Sequence, residues 1–552
     1  MGVRRMEPWT EKHTWEAVGN LFGELPAEPG LPDDRWGCSN FQATPLQWVG
    51  RQVPLASVQD EFAIAESAEP LDAADFGSFR QRCSAWGRGS DRLKRRRRYR
   101  GTRMTTGSSA GPRELPRKLG LTTGVAVVVG IIIGSGIFRV PSPIAAAAGN
   151  LTGIALVWIL GGVVTLLGAL SIAELAVMYP AAGGPYVYLR EAYGRLLAFL
   201  FGWMWLLTTP ISWAAQSLIF AEYLGFFVPI PTMLQHLVAA VLIVLVAAAN
   251  YRSVKLGAAI QNLSTGAKVV AIVCLSAAIF FLAPGGAANP FHAEPMGVAK
   301  WSGIGIGLIA ALWAYDGWEN LTTLSGEVKN PQRNLPLALI GGVLVVIVVY
   351  LLINAAYLRA LPLPQLAASK SVAADAAGAV MGRAGASLVG ALVMLSVFGT
   401  LNGSILSSPR VFFAMAEDGL FFRTVGKVHP KYETPYVAIA FIVVLAVIYV
   451  MLRGFMQLAE AYVLGVWPFL ALCVIGLFIL RAKRPELPRK YRTFGYPVIP
   501  ALFVLAAFIV VANALYAQFW STVASILITL IGVPLYFLWE WWWRRYLADA
   551  PQ

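Results

Sequence analysis

The sequence predicts an all-α integral membrane protein. About twelve transmembrane helices form a 5+5 inverted repeat, with helices one and six broken. Three observations lead there. Of 552 residues, 57% are hydrophobic and 13% charged, with a mean hydropathy of +0.62, whereas soluble domains carry about 25% charged residues. From Leu119 onward, long apolar runs succeed one another between short polar breaks. Two of these runs, five apart in order, are interrupted by glycines or by a carboxylate.

Residues 1–112 stand apart. Before Leu119 lie 19 of the 44 Lys and Arg and 15 of the 30 Asp and Glu, so the last 434 residues carry only 40 charges. This extension is polar, mixed in charge and dotted with Pro and Gly, without a helical or strand period. It has no charged stretch followed by an apolar one and is not a signal peptide. Its composition predicts disorder. A second reading starts the chain at Met104, where MTTGSSAGPRELPRKLGL resembles a short cytoplasmic leader, and makes the preceding residues a start-site artefact. The net charge of +14 and the run Lys94–Arg98 could suggest nucleic acid. In so apolar a chain, excess Lys and Arg belong to cytoplasmic loops, and no nucleic-acid partner is expected. Cys38, Cys83, Cys274 and Cys473 form no CxxC or His/Cys cluster, so neither a metal, a cofactor nor a disulfide scaffold is expected.

A spanning helix needs about 20 apolar residues. Such runs begin near Leu119, Leu151, Tyr186, Met233, Val254, Trp301, Leu335, Gly385, Tyr436, Phe455, Tyr496 and Phe519. They define a transporter domain over 113–545 and a tail over 546–552. Strands of a barrel would be about 10 residues long and alternating; these runs are neither. With the amino terminus in the cytoplasm, the inside collects about twenty basic residues, among them Arg190, Arg195, Arg252, Lys255, Arg423 and Arg481. The outside keeps Arg139, Lys300, Arg359, Lys370, Arg383 and Arg453. That bias places both termini in the cytoplasm. Trp541, Trp542 and Trp543 read as an interfacial anchor.

The first run contains GIIIGSGIF, Gly130 to Phe138. A helix-interior glycine costs about 1 kcal/mol relative to alanine, and three around Ser135 favour unwinding. A close-packing face would need only Gly130 and Gly134 and leaves Gly136 unexplained. The sixth run reads LIAALWAYDGWENL, with Asp316 followed by Gly317. An intramembrane carboxylate costs a few kcal/mol and by default marks a functional site; pairing with a neighbouring helix is the plainer alternative. Interrupted spans at corresponding places in two halves point to a transporter site. Five is odd, so the halves have inverted topology: helices one to five superpose on six to ten, with two left over.

Backbone electrostatics then sets the chemistry. An unwound helix exposes N–H groups that attract anions and C=O groups that attract cations. The amides of Ser135, Gly136 and Ile137 are expected to hold a carboxylate. The carbonyls of Ile132, Trp313 and Ala314, strengthened by Asp316, are expected to hold an ammonium. Trp313, Tyr315 and Trp318 would surround the substrate side chain or gate it; plain aromatic packing is the alternative.

Several longer segments match a known family in order: GSGIF, LSIAELAVMYPAAGGPYVYLREAYG, WAYDGWENL with EVKNPQRNLPLAL, and FGTLNGSILSSPRVFFAMAEDGLFF. Over about Leu119 to Arg492 the chain resembles the L-type (LAT) branch of the amino acid–polyamine–organocation (APC) transporter superfamily. The resemblance implies a LeuT-type fold of twelve helices and sodium-independent amino acid transport across the cell membrane, commonly by exchange. It places carboxylate binding on Gly134–Gly136 and amine binding on Ile132, Trp313 and Asp316. Lys268 lies well inside the fifth span with no acid nearby in sequence. The resemblance implies that it substitutes for a sodium ion between helices one and eight, with Ser404, Ser407 and Ser408 as candidate partners. Snorkelling is awkward thirteen residues beyond Lys255.

Two departures matter. Glu319 stands where many LAT relatives carry a neutral amide, which leaves cationic substrates open. Arg139 follows GSGIF where an apolar residue is usual. The outward loop FFVPIPTMLQHL lacks the cysteine that animal relatives use to link a partner subunit, so no disulfide-linked partner is expected. Glu174 and Arg410 are semi-buried charges suggesting ion pairs on the inner side, and Glu327 and Arg333 are expected to shape an inner loop. The leading expectation is exchange of neutral amino acids by alternating access, with amino acid and membrane lipid as the partners. A cationic amino acid or polyamine permease and a non-transporting nutrient receptor are the alternatives. No HExxH, GxSxG or GxxxxGK[ST] motif occurs and none of the four histidines sits mid-span, so neither an enzyme nor an ATP-driven pump is expected.

Overall fold

The computed structural model describes residues 115–283, 301–452, 455–517 and 519–546. The expectations for residues 1–112, for a start at Met104 and for the tail beyond Tyr546 lie outside the described residues. Helices dominate throughout. The first span is divided into α1 (Leu121–Ile132), α2 (Gly136–Arg139) and α3 (Pro141–Ala148). Then come α4 (Leu151–Met178), α5 (Pro185–Tyr193), α6 (Arg195–Phe227), α7 (Thr232–Arg252) and α8 (Val254–Leu282). The second half opens with a divided sixth span, α9 (Trp301–Ala314) and α10 (Asn320–Thr323), followed by α11 (Pro331–Ala360) and α12 (Leu363–Ala368). The eighth span is α13 (Val372–Ser407) continued by α14 (Pro409–Glu417), and α15 (Tyr436–Leu452), α16 (Phe455–Lys483), α17 (Val498–Ala517) and α18 (Phe519–Tyr546) complete the chain.

Local chemistry starts these helices. Proline opens α3, α5, α11 and α14, where its missing N–H has no intrahelical partner to lose. Asn150 caps α4 by accepting from the Gly153 N–H at 2.7 Å, and Ser253 caps α8 through the N–H groups of Lys255 and Leu256. Among the described residues, ten segments are long and apolar enough to cross a membrane. Two shorter apolar helices, Gly303–Ala314 and Tyr436–Leu452, bring the spans to twelve.

One boundary differs from that expected. The third span begins at Arg195, not near Tyr186, because residues 185–193 form the separate helix α5, which stops at Gly194. The eighth span keeps its expected start: Gly382, at φ +61° and ψ −152°, breaks α13, so the Ala-rich turns from Val372 form a separate segment and the span proper begins close to Gly385.

The packing displays the repeat. The second span α4 lies on the seventh, α11. The fifth span packs on the eighth (α8 on α13), and its counterpart is the tenth on the third (α16 on α6). The first span packs on the seventh (α1 on α11), and its counterpart is the sixth on the second (α9 on α4). Even the short helices correspond, α5 after the second span and α12 after the seventh. The exterior carries large exposed apolar side chains on α8, α17 and α18, including Leu263, Phe281, Tyr516 and Trp520. An apolar surface of that extent suits lipid tails, not water.

At the Lys- and Arg-rich face, charges tie the spans together. Arg410 grips Glu327 through Nε at 2.7 Å, and both side chains are buried. Arg190 holds Asp418 at 2.6 Å. Glu174 accepts from Arg481 at 2.5 Å and from the Thr493 N–H at 2.7 Å. Glu327, expected only to shape a loop, is thus the buried partner of Arg410. Its carbonyl also accepts from the Leu119 N–H at 2.9 Å, and the Lys329 N–H donates to Leu119 O at 2.8 Å, which stitches the start of span one to the end of span six.

Gly317 lies at φ +99°, and a Cβ there would stand 2.5 Å from Ile131 Cγ2. Gly317→Ala should therefore destabilise the protein by about 1–3 kcal/mol, read as a lower Tm in detergent. Gly341→Ala, in α11 with open space around its Cβ position, should show no loss.

Candidate functional site

The twelve residues of α1 rise about 18 Å and the fourteen of α9 about 21 Å at 1.5 Å per residue. Entering from opposite faces of a hydrocarbon core about 30 Å thick, both stop near mid-depth. The two breaks touch: a Cβ on Gly136 would lie 3.0 Å from Ala314 Cα.

In the first break the Ile133 N–H still bonds Val129 O at 2.9 Å and the Gly134 N–H bonds Ile132 O at 2.8 Å. The N–H groups of Ser135, Gly136 and Ile137 have no acceptor among the described residues. They point their partial positive charge away from α1 as the start of α2. On the other side, the Tyr350 hydroxyl from α11 lies 2.9 Å from Ile132 O and 2.8 Å from Ala314 O, bridging the carbonyl ends of both breaks. One hydroxyl carries one proton, so each carbonyl keeps acceptor capacity. Among the described residues, Trp313 O accepts a long bond from the Asp316 N–H, 3.3 Å.

Lys268 is fully buried, and its ammonium is saturated. Nζ donates to Gly130 O at 2.9 Å, Ile133 O at 2.8 Å and Ser396 O at 2.8 Å. The Ser396 and Thr400 hydroxyls donate to Ile133 O as well, at 2.8 and 3.2 Å. Lys268 therefore does join the first break to the eighth span, but not through the serines named from sequence. Ser404, Ser407 and Ser408 lie two to three turns further along: Ser404 and Ser408 line the central cavity, and Ser407 Oγ donates to Asn320 Oδ1 at 3.0 Å. Sequence fixes which helix supplies the partners, while the depth at which helix eight passes the break is set by packing. Gly399 makes the approach possible, since a Cβ there would meet Lys268 Nζ at 3.0 Å.

A cavity of about 90 Å³ opens between the breaks. Ile132, Gly134, Ser135, Gly136, Trp313, Ala314 and Asp316 line it, all of them residues singled out in the sequence. Four others do not. Ile137 is packed in the core. Tyr315 turns behind the break, its hydroxyl 3.3 Å from Trp158 O and its ring 4.9 Å from that of Tyr350. Trp318 packs edge-on against Phe503. Glu319 is buried off the wall, and Oε1 accepts from Asn320 Nδ2 at 3.0 Å. The reason is rotational: an unwound segment turns successive side chains to different sides, and lipid depth alone does not say which.

The wall missed from sequence is the third span. Trp205, Thr209, Ser212, Gln216 and Ile219 of α6 line the cavity at spacings of four and three, one helical face. The signal was present, as three polar residues on one stripe of an apolar span. Thr400, Asn320 and Trp213 are also on the wall. Towards the basic face, Trp205 Nε1 donates to Ser408 O at 3.3 Å and Thr323 Oγ1 to Ser407 O at 3.0 Å. The buried Arg410–Glu327 pair lies beyond them.

Twelve spans in an inverted repeat, with two broken helices facing one polar cavity, define a secondary membrane transporter. A family model described as amino acid permease matches residues 119–536, and the chain belongs to that family, whose members are multi-pass transporters. It is 34% identical to the serine/threonine exchanger SteT of Bacillus subtilis over 410 residues, 74% of this chain and 93% of that one. It is 33% identical to the human b(0,+)-type amino acid transporter 1 over 415 residues, 74% and 84% of the two chains. Against the human cystine/glutamate transporter the identity is 32% over 430 residues, covering 76% and 85%.

Lys268→Ala is expected to abolish or strongly slow uptake while the protein still inserts, measured as transport against the amount reconstituted. Tyr350→Phe removes a hydroxyl bonded to protein carbonyls and should destabilise the fold by about 1 kcal/mol, read as a lower Tm in detergent.

Proposed function

We propose that this protein is a sodium-independent secondary transporter that exchanges neutral amino acids across the cell membrane by alternating access. The carrying observation is that Ser135 and Gly136, with unbonded N–H groups, and Ile132, Trp313 and Ala314, with carbonyls that keep acceptor capacity, line one small cavity. A carboxylate fits the first and an ammonium the second, and an α-amino acid carries both on one carbon. Peptide dipoles fixed in a low-dielectric site hold such charges without reorganising. The names of the relatives, an exchanger among them, support the same reading.

Lys268 supports sodium independence, because a fixed ammonium already takes the carbonyls that a cation between spans one and eight would need. Glu319 lies off the cavity wall, which removes one of the two acids that could favour a cationic substrate or polyamine. The ties below the cavity close it towards the basic face. By the excess of Lys and Arg, that face and both termini are cytoplasmic. Exchange then requires the Arg410–Glu327 and Arg190–Asp418 pairs and the Leu119 stitch to part together. The chain transports without catalysing covalent chemistry. Its loop between α6 and α7 has no cysteine, so it works without a disulfide-linked partner.

Reconstituted alone in liposomes, the protein should take up labelled neutral amino acid far faster into vesicles preloaded with amino acid than into empty ones. Replacing sodium with choline should leave the rate unchanged. Equal uptake into empty vesicles would mark a uniporter, and binding without uptake a receptor.

A further inference from the structure

The third-span wall carries hydrogen-bonding capacity that the protein does not use. Gln216 Nε2 donates to Ser212 Oγ at 2.8 Å one turn earlier. Its other end, Oε1, is buried and has no hydrogen-bond partner among the described residues. Gln216 and Ser212 both line the cavity. Trp213, an i,i+3 neighbour of Gln216 on the same wall, likewise has a buried indole N–H without a partner among the described residues. Leaving a buried polar group unmet is costly, and a substrate able to meet it binds better than one that cannot.

We propose that Gln216, oriented by Ser212, reads the side chain of the transported amino acid and selects short side chains that carry a hydroxyl or amide. This rests on the reading of the protein as an amino acid transporter. The broken helices bind groups common to every α-amino acid, so they cannot discriminate between side chains. Discrimination falls to the remaining walls. Across from the breaks, α6 offers Thr209, Ser212 and Gln216 in one stripe. The cavity of about 90 Å³ is well below the roughly 300 Å³ at the low end of small-molecule sites, which limits the side chain to a few atoms. A half-turn of the Gln216 amide exchanges its oxygen for its NH₂, so the free end can accept or donate. A hydroxyl is matched in either state, and a methyl group in neither.

The test compares two pairs that differ by a hydroxyl, serine with alanine and the isosteric threonine with valine, as competitors of labelled uptake in proteoliposomes. In the wild-type protein the hydroxyl member should compete better in each pair. Gln216→Met keeps the length of the side chain and removes its polar end. It should shift the ratio of hydroxyl to apolar affinity by about five- to tenfold towards the apolar member. Ser212→Ala, which frees Gln216 from its partner, should move the ratio in the same direction by less, and it decides the matter should Gln216→Met fail to insert. Ratios within twofold of wild type in the inserted variants, whatever happens to absolute rates, overturn the proposal. So does a wild-type preference for the apolar member. A wild-type protein that moves no amino acid sinks the transport reading itself, a result distinct from any change in the ratios.

Discussion

A peptide chain that unwinds inside lipid must find a partner for every buried N–H and C=O. The rest of this structure depends on how the first break meets that demand. Lys268 reaches in from the fifth span and places its three protons on Gly130 O, Ile133 O and Ser396 O. Ser396 and Thr400 add hydroxyl donors from the eighth. Tyr350 reaches from the seventh to Ile132 and Ala314. Gly130 O and Ile133 O are therefore met by the protein from neighbouring helices, whereas Ile132 O and Ala314 O share the one proton of Tyr350 and keep acceptor capacity. The N–H groups of Ser135 and Gly136 have no acceptor among the described residues, so the break offers a place for an anion beside carbonyls that can still take a cation.

The partners are also a mechanical arrangement. Spans one and six, which meet at Gly136 and Ala314, are each bonded to helices of the other half. Tyr350 connects them to each other, and Lys268 connects span one to span eight. Below, the buried Arg410–Glu327 pair and two backbone bonds between Leu119 and residues 327–329 hold the ends of spans one and six at the basic face. A buried pair such as Arg410–Glu327 contributes little net stability against an apolar substitute but loses much when one partner goes. It suits a joint that must hold one arrangement firmly and part as a unit.

Much of this was legible in the residues. Composition and the order of apolar runs gave the membrane class and the twelve spans, because burial in lipid demands apolar length whatever the packing. Gly134, Ser135 and Gly136, and Asp316 with Gly317, announced both breaks, because each weakens a helix at a depth where no water can replace the lost bonds. Lys268 was visible as a lone charge deep in a span. The partners were less legible. Ser404, Ser407 and Ser408 were plausible for Lys268 by composition, yet the Ser396 carbonyl takes one of its protons, while the Ser396 and Thr400 hydroxyls bond the same break carbonyls, since the sliding of helix eight against helix one leaves no trace in either sequence. Tyr315, Trp318 and Glu319 share a segment with Asp316, but the unwound backbone turns them away from the cavity. The stripe Thr209, Ser212, Gln216 could have been noticed and was hidden by the apolar residues around it.

The sequence by itself determined what each segment must be: a span, a break, a basic loop. These follow from the transfer of single side chains and single peptide groups between water and lipid, which depends on residue type and order alone. Only the tertiary structure decided what meets what: Lys268 with three carbonyls, Glu327 with Arg410, Gln216 with the cavity. Those pairings depend on the depth and rotation of one helix against another, set jointly by side-chain packing from many distant residues.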